Sequence, residues 1–403
     1  MGKLIVASYC STFLKPEMMH LYRQVTSLRR TQTFIMTKRV QHSKRFPFDD
    51  IEKIPRPHRN LLRHGWMKFI QREPALIYRG EYQRLVEILA RRRADMMHIY
   101  FGHAGVHLLP FVRAWDKPCV VSFHGMDVAQ NPQVSNYAAK LRQLFRAVPI
   151  VLARSQSLAQ RLRSFGCPAE KIRLNRTGIP LADFSFRERP FPADGSWRVL
   201  QACRLIDKKG VASAIGAFAI FARKFPNAEF LIAGKGPLQE DLEALAVQLG
   251  VANKIRFVGF LGQRALREFY ARGHIFIHPS ETPPDENQEG VPNSILEAMA
   301  TGLPVVATRH GGIPEAVTHE VNGLLSEERD IETLGQYMIS LASSADDYRR
   351  MSEMARSAVA QQFDQELTVR ALEDAYEEVC ARPLEQERTK RVSVLPAPVA
   401  ESA

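Results

Sequence analysis

Glu289 and Glu297, with seven residues between them, bracket the segment Glu289-Gly290-Val291-Pro292-Asn293-Ser294-Ile295-Leu296-Glu297. The apolar run Ile275-Phe276-Ile277-His278 before it reads as a buried strand, and the segment itself reads as the start of a helix that stops at Gly302-Leu303-Pro304. Glu289 is then expected on a loop at the carboxyl end of a strand, and Glu297 about one turn into the following helix. In an open α/β sheet that crevice takes ligands. A helix N-terminus offers unpaired N–H groups to a phosphate. A glutamate one turn in is placed to accept from ribose hydroxyls beside that phosphate, and the loop glutamate to face whatever hangs off the far phosphate.

Cations stand where such a ligand needs them. Arg204 and Lys209, in Arg204-Leu205-Ile206-Asp207-Lys208-Lys209-Gly210, share one strand-to-helix turn. Positive groups so spaced can hold a diphosphate and stabilise the charge that grows on a departing phosphate oxygen, with no metal. Gly234-Lys235-Gly236-Pro237 is compatible with a backbone turn and with a ligand contact alike. His124 follows the apolar Val120-Val121-Ser122-Phe123 and precedes Gly125, so it is expected at a strand end. There it can donate to a sugar or phosphate, or shuttle a proton. Asp127 either meets ligand or orients that loop. His98 lies within a strand pattern and reads as a core histidine.

The elements that position these groups are short apolar runs alternating with helical patterns, the signature of parallel sheets built from βαβ units. The strands expected are Leu4–Ser8, Thr33–Thr37, Met96–Tyr100, Cys119–Phe123 and Ile150–Ala153. After a linker-like stretch, Phe184–Ser196, come Arg198–Ala202, Glu229–Ala233, Ile255–Val258, His274–His278 and Val305–Ala307. Asp330–Ala381 reads as helices and 382–403 as a disordered tail. The chain of 403 residues, 45% of them hydrophobic, suffices for two cores, with a ligand between them. No apolar run reaches the ~18–20 residues of a membrane span. Five scattered cysteines (Cys10, Cys119, Cys167, Cys203 and Cys380) without a C-x-x-C pair point to free thiols in a reducing compartment.

With these residues in view, the chain resembles the family four retaining glycosyltransferases of GT-B architecture. The resemblance rests on Glu289-x7-Glu297 followed by Ala298-Met299-Ala300-x-Gly302-x-Pro304-Val305-Val306, on the Arg204-to-Gly210 turn and on Leu231-Ile232-Ala233-Gly234-Lys235-Gly236-Pro237-Leu238. Val258-Gly259-Phe260-Leu261, Gly311-Gly312-Ile313-Pro314-Glu315, Phe123-His124-Gly125-Met126-Asp127 and Asp95-Met96-Met97-His98 match as well. Ser11-x-Phe13 and Ile313-Pro314-Glu315 are similar to bacterial exopolysaccharide and colanic-acid-type members.

That resemblance implies two Rossmann-like domains facing a central cleft: residues 1–190 for the acceptor, 195–365 for the nucleotide-sugar donor, and a helix over 366–381 crossing back to the first. It implies His124, Glu289, Arg204 and Lys209 as catalytic residues. Donor binding would involve Arg204, Lys209, Gly234, Phe260, Leu261, Glu289, Gly290, Val291, Pro292, Asn293 and Glu297. The acceptor side would involve Ser11, Thr12, Phe13, His103 and Asp127. The expected reaction is transfer of a sugar, with retention, from a UDP- or GDP-linked donor to a saccharide or lipid-pyrophosphate-saccharide acceptor of surface polysaccharide, without metal or other cofactor. The chain departs from the family where Tyr9-Cys10-Ser11-Thr12-Phe13 replaces a Gly-Gly loop, where Gly178-Ile179-Pro180 replaces Gly-Ile-Asp, and where Tyr100 replaces a frequent histidine.

Charge is unevenly spread. Residues 1–200 sum to +20 and residues 201–403 to −8, within a total of +12. A basic first half suggests an anionic partner such as a cytoplasmic membrane face. Met18–Leu28, Lys38–Arg45 and Arg59–Arg72 (with Trp66, Phe69 and Ile70) read either as a basic amphipathic surface or as core-facing helices. A nucleotide-sugar epimerase or a phosphorylase of the same fold, and a non-enzymatic polyanion-binding module, are the alternatives. The absence of an RNA-recognition motif speaks against nucleic acid.

Overall fold

The computed structural model describes residues 2–15, 18–55, 76–128, 136–283 and 289–381. The stretch Arg59–Arg72 and the tail 382–403 lie outside the described residues. The first sheet has seven strands: β1 Leu4–Phe13, β2 Thr31–Val40, β3 Ile51–Lys53, β4 Met96–Tyr100, β5 Cys119–Phe123, β6 Val151–Ala153 and β7 Ile172–Leu174, in the order β3-β2-β1-β4-β5-β6-β7. The second has six: β8 Arg198–Ala202, β9 Glu229–Ala233, β10 Ile255–Gly259, β11 Ile275–His278, β12 Val305–Thr308 and β13 Leu324–Ser326, in the order β10-β9-β8-β11-β12-β13. Every pairing between these strands is parallel.

Helices cover both faces of each sheet, so the central strands are buried throughout, as in β4, β5 and β11. Continuous burial is why they read as apolar runs without alternation. Both sheets reverse their direction of growth at the centre, between β1 and β4 and between β8 and β11, which is where doubly wound sheets open a crevice. The fold is the two-domain α/β architecture expected.

All ten expected strands form. Three others, β3, β7 and β13, are only three residues long and sit at sheet edges, and Glu52 and Arg173 interrupt any apolar run. The first strand corrects an expectation. It does not end at Ser8 but continues through Phe13, paired with β2 at Cys10–Thr37, Thr12–Arg39 and Phe13–Val40. Ser11 and Thr12 are therefore strand residues rather than a ligand-facing loop, and Phe13, 1% exposed, packs with Leu21 and Phe46.

Of the two readings of Met18–Leu28, the helix Met19–Thr26 has the core-facing side expected of one. It buries Leu21 and Val25 against the first domain, and Arg23 toward the second. Lys38 pairs with buried Glu81. Among the described residues no helix is long and apolar enough to cross a membrane, and all five cysteines are free thiols.

The last helix, Gln365–Ala381, leaves the second domain and returns to the first. Its Leu372, Ala375, Tyr376 and Val379 seal the apolar face formed by Val6, Met96, Val120, Ile150 and Leu152. It also meets part of the basic excess. Glu366 pairs with Arg29, Asp374 and Glu377 with Arg30, and Glu378 with Arg173. So one anionic partner of the first half is this returning helix of the same chain.

Glu373, 3% exposed, anchors this helix. Its Oε1 accepts from the N–H groups of Arg29, Arg30 and Thr31 and from the Thr31 hydroxyl, at 2.7–2.9 Å. Burial alone would raise this carboxyl, but hydrogen bonds from Thr31, Arg30 and Arg29 outweigh it and hold it below the usual range. A depressed carboxyl contributes stability above its unfolded pKa of about 4.3 and loses it as pH falls through the lower folded value. Glu373→Ala, which strands three N–H donors, should cost about 3 kcal/mol in urea unfolding near pH 7. The difference from wild type should shrink below pH ~4.

Candidate functional site

A cavity of about 330 Å³ lies between the carboxyl ends of the two sheets. His20, His124 and Arg154 line it from the first domain. Ala202 to Arg204, Lys208, Lys209 and Glu289 to Ser294 line it from the second. The second-domain residues gather because β8 and β11 are neighbours at that sheet's switch point: one strand leads into Arg204–Lys209, the other into Glu289.

Glu289 is held between two lysines. Its Oε1 lies 2.8 Å from Lys209 Nζ and 3.3 Å from Lys208 Nζ. Burial alone would raise its pKa; the charges of Lys209 and Lys208 reverse that and set it at about 2. Burial lowers Lys208, with Glu289 opposing. Arg204 stands exposed on the cavity wall and makes no ion pair among the described residues. Gly290, Val291, Pro292 and Asn293 form the wall at the start of the helix Asn293–Ala300, whose first N–H groups have no intrahelical partner.

His124 sits where expected, immediately after β5. Its Nε2 shares a 3.0 Å hydrogen bond with Ser122 Oγ, while Nδ1 has no hydrogen-bond partner among the described residues. Burial first, then the nearby His20 and Arg154, hold its pKa well below the usual histidine value, so the ring is neutral. A neutral imidazole here can accept a proton or a hydrogen bond.

Other expected residues have different work. Asp127 is an orienting group: its Oδ1 accepts from the His124 and Gly125 N–H groups at 2.9 Å and its Oδ2 from Gly102 N–H at 2.8 Å. His103 is exposed, stacks on Phe101 and does not line the cavity. Gly234 serves the backbone. Its φ is +143°, its N–H donates to Gly259 carbonyl, and a Cβ there would lie 1.7 Å from Cys203 carbonyl oxygen. Phe260 is 53% exposed at the end of β10, with the Arg45 guanidinium 4.8 Å above its ring, and Leu261 packs at the edge of the second core.

Glu297 lies about a turn into its helix as expected, but its carboxylate is already engaged across the cleft. Oε1 accepts from Arg23 Nη1 at 3.0 Å and Oε2 from Tyr270 hydroxyl at 3.2 Å. Arg23 also donates to Gln263 at 2.8 Å. Burial raises the Glu297 pKa and Arg23 opposes this. A second tie joins the domains at Glu315, which accepts from Gln156 and Ser157 N–H groups, at 2.8 and 3.0 Å, at the start of the helix Gln156–Ser164.

Lys208, Arg154 and Arg23 were not singled out from sequence. Arg154 follows β6 and reaches Thr177 Oγ1, and Asn293 at 3.5 Å. Burial lowers its pKa to about 10, with Glu289 opposing. Each left a faint signal. Arg154 is a charge at the end of the apolar run Ile150-Val151-Leu152-Ala153, Arg23 interrupts an amphipathic pattern, and Lys208 adjoins Lys209. The cavity thus sets Arg154, Arg204, Lys208 and Lys209 against a single carboxylate, Glu289, which suits a ligand with more than one negative charge.

The Glycosyl transferases group 1 model matches residues 183–358, and the Glycosyltransferase Family 4 model matches residues 37–183. The chain is 32% identical over 286 residues to the amylovoran biosynthesis glycosyltransferase AmsK of Erwinia amylovora, covering 70% of each chain. It is equally 32% identical over 286 residues, again 70% of each chain, to the putative colanic acid biosynthesis glycosyltransferase WcaL of Escherichia coli (strain K12). Anabaena HepE, solved in complex with UDP, shares the fold at a TM-score of 0.75 and 19% identity, covering 93% of this chain and 100% of that one. The same protein with UDP-glucose gives a TM-score of 0.71 at 18% identity, with the same coverage.

Proposed function

Since the chain belongs to glycosyltransferase family 4, we propose that it moves a sugar from a UDP- or GDP-linked donor to a saccharide acceptor in bacterial exopolysaccharide assembly, with retention of anomeric configuration. It is a glycosyltransferase; donor, acceptor and stereochemistry are our reading. The observation that carries the reading is the excess of cations in the cavity, at a sheet switch point and beside a helix N-terminus. Relatives named for amylovoran and colanic acid synthesis support the polysaccharide class, and UDP-glucose bound to a neighbour of the same fold supports a nucleotide-sugar donor.

In this reading the C1–O bond to the diphosphate breaks while a C1–O bond to the acceptor hydroxyl forms on the same face. The acceptor proton passes to the departing phosphate oxygen. Arg204 and Lys209 stabilise the charge on that oxygen, with the role a metal plays elsewhere taken by these side chains. Glu289 faces the donor sugar, Glu297 the ribose, and His124 the sugar from the first domain.

The acceptor proposed is lipid-linked, with the protein at the inner face of the cytoplasmic membrane. Among the described residues, exposed Arg39, Lys44 and Arg45 offer basic groups for such a surface. Sedimentation with anionic vesicles, lost at high salt, would test it.

The first experiment is thermal unfolding with UDP, GDP, ADP or dTDP in the presence of EDTA. One nucleotide should raise Tm by a few degrees at ~100 times its Kd, and Glu297→Ala should lose the shift. No shift with any of them would sink the donor-site reading.

A further inference from the structure

The segment between β11 and the helix Asn293–Ala300 carries Glu289, and one side chain outside the cavity ties both of its ends. Glu328, two residues beyond β13, accepts from Thr282 N–H through Oε2 at 2.7 Å and from the Thr282 hydroxyl through Oε1 at 3.1 Å. That fixes the outgoing end. Oε1 also lies 2.6 Å from His310 Nδ1, and His310 Nε2 accepts from the Glu289 N–H at 3.1 Å. That fixes the incoming end.

His310 is 1% exposed, and its two hydrogen bonds define its tautomer. Nε2 can accept only if unprotonated, so the proton sits on Nδ1 and points at Glu328. The next turn completes the clasp. Gly312 N–H donates to the Glu289 carbonyl at 3.2 Å, and a Cβ on Gly311 (φ +53°) would come within 2.2 Å of that same oxygen. Neither His310 nor Glu328 lines the cavity.

We infer that Glu328 and His310 are positioning residues, a carboxylate–imidazole relay that fixes the Glu289 main chain and thereby aims its carboxylate between Lys208 and Lys209 at the donor sugar. The inference rests on the reading of Glu289 as the sugar-facing group. A displacement of ~1 Å at such a group can cost ~10²-fold in rate. Losing an orienting hydrogen bond one layer out typically costs ~10–100-fold.

The test is a double-mutant cycle with UDP-glucose and UDP, or with GDP-mannose and GDP, whichever pair the wild type binds. His310→Ala should lower kcat ~10–100-fold with little change in donor KM and unchanged nucleotide Kd. His310→Gln, whose amide oxygen can still accept from Glu289 N–H, should recover most of the loss. In a Glu289→Gln background, His310→Ala should cost less than about twofold, because its effect passes through that carboxylate.

The cycle is also read in the affinity of nucleotide-sugar relative to bare nucleotide, so an inactive Glu289→Gln still reports. Should His310→Ala not fold, Glu328→Ala takes its place. Equal losses in both backgrounds, a parallel loss of nucleotide affinity or an unchanged kcat would overturn the positioning role. A wild type that binds nucleotides but neither turns over nor prefers the nucleotide-sugar would overturn the functional reading itself, and this inference with it.

Discussion

Lys209→Ala is expected to lower kcat by about 10²-fold or more, as loss of a preorganised charge-stabilising donor does. Of the two lysines on Glu289 it stands closer, at 2.8 Å against 3.3 Å for Lys208. In the proposed reaction it supplies a cation for the leaving diphosphate, and its charge is the largest of those that keep Glu289 ionised. Arg204→Ala should fall in the same range; Lys208→Ala should fall less. Steady-state kinetics of the three variants decide this, and intact turnover in both Lys209→Ala and Arg204→Ala would dismantle the clamp.

The pH profile provides an independent check. With Glu289 at about 2 in the folded protein, its charge is present at every pH above that value, so it contributes no acid limb to the wild-type profile. Removing Lys209 takes away the largest group lowering that pKa, while burial still raises it. An acid limb should therefore move up into the measurable range.

Arg23→Ala should destabilise the protein by about 3–5 kcal/mol in urea unfolding, the cost of removing one partner of a buried ion pair. Arg23 and Glu297 side chains are 9% and 6% exposed, so both are largely shielded from solvent. The effect is larger than a surface pair would give, for which ~0–1 kcal/mol is usual. Because Glu297 Oε1 accepts from Arg23 and Oε2 from Tyr270, a ribose bound there must share the carboxylate with them or displace one of them. Arg23→Met, which keeps apolar bulk without charge, should cost about as much, since the uncompensated carboxylate remains. A cost under ~1 kcal/mol in both variants would show the pair to be solvated in solution.

Sequence made ten strands legible, the central ones most clearly, because burial on both faces writes itself as unbroken apolar runs. It also located Glu289, Arg204, Lys209 and His124, whose neighbours along the chain form the motif. What stayed hidden depends on distant partners. Nothing near Arg23 in sequence announces Glu297, 274 positions away. His310 and Glu328 are ordinary polar residues until the fold brings them to the Glu289 loop. The +20 charge of the first half pointed outward to a membrane, yet Glu366, Asp374, Glu377 and Glu378 absorb part of it from within. The edge strands β3, β7 and β13 were illegible because three residues are too few to show a period, and no longer apolar run marks them.

The returning helix has a consequence for how the protein is made. The first sheet is complete once residue 174 has been synthesised, but among the described residues the face of Val6, Met96, Val120, Ile150 and Leu152 gains its cover from residues 365–381. At ~5–20 residues per second the ribosome takes on the order of 10–40 s to reach them. Throughout that interval the nascent first domain presents a bare apolar surface, the kind that chaperones bind and that aggregates when they are scarce. Final closure of the first domain thus waits on the helix Gln365–Ala381, and a ribosome stalled before residue 365 should hold a domain that binds a hydrophobic dye and is cleaved readily by protease.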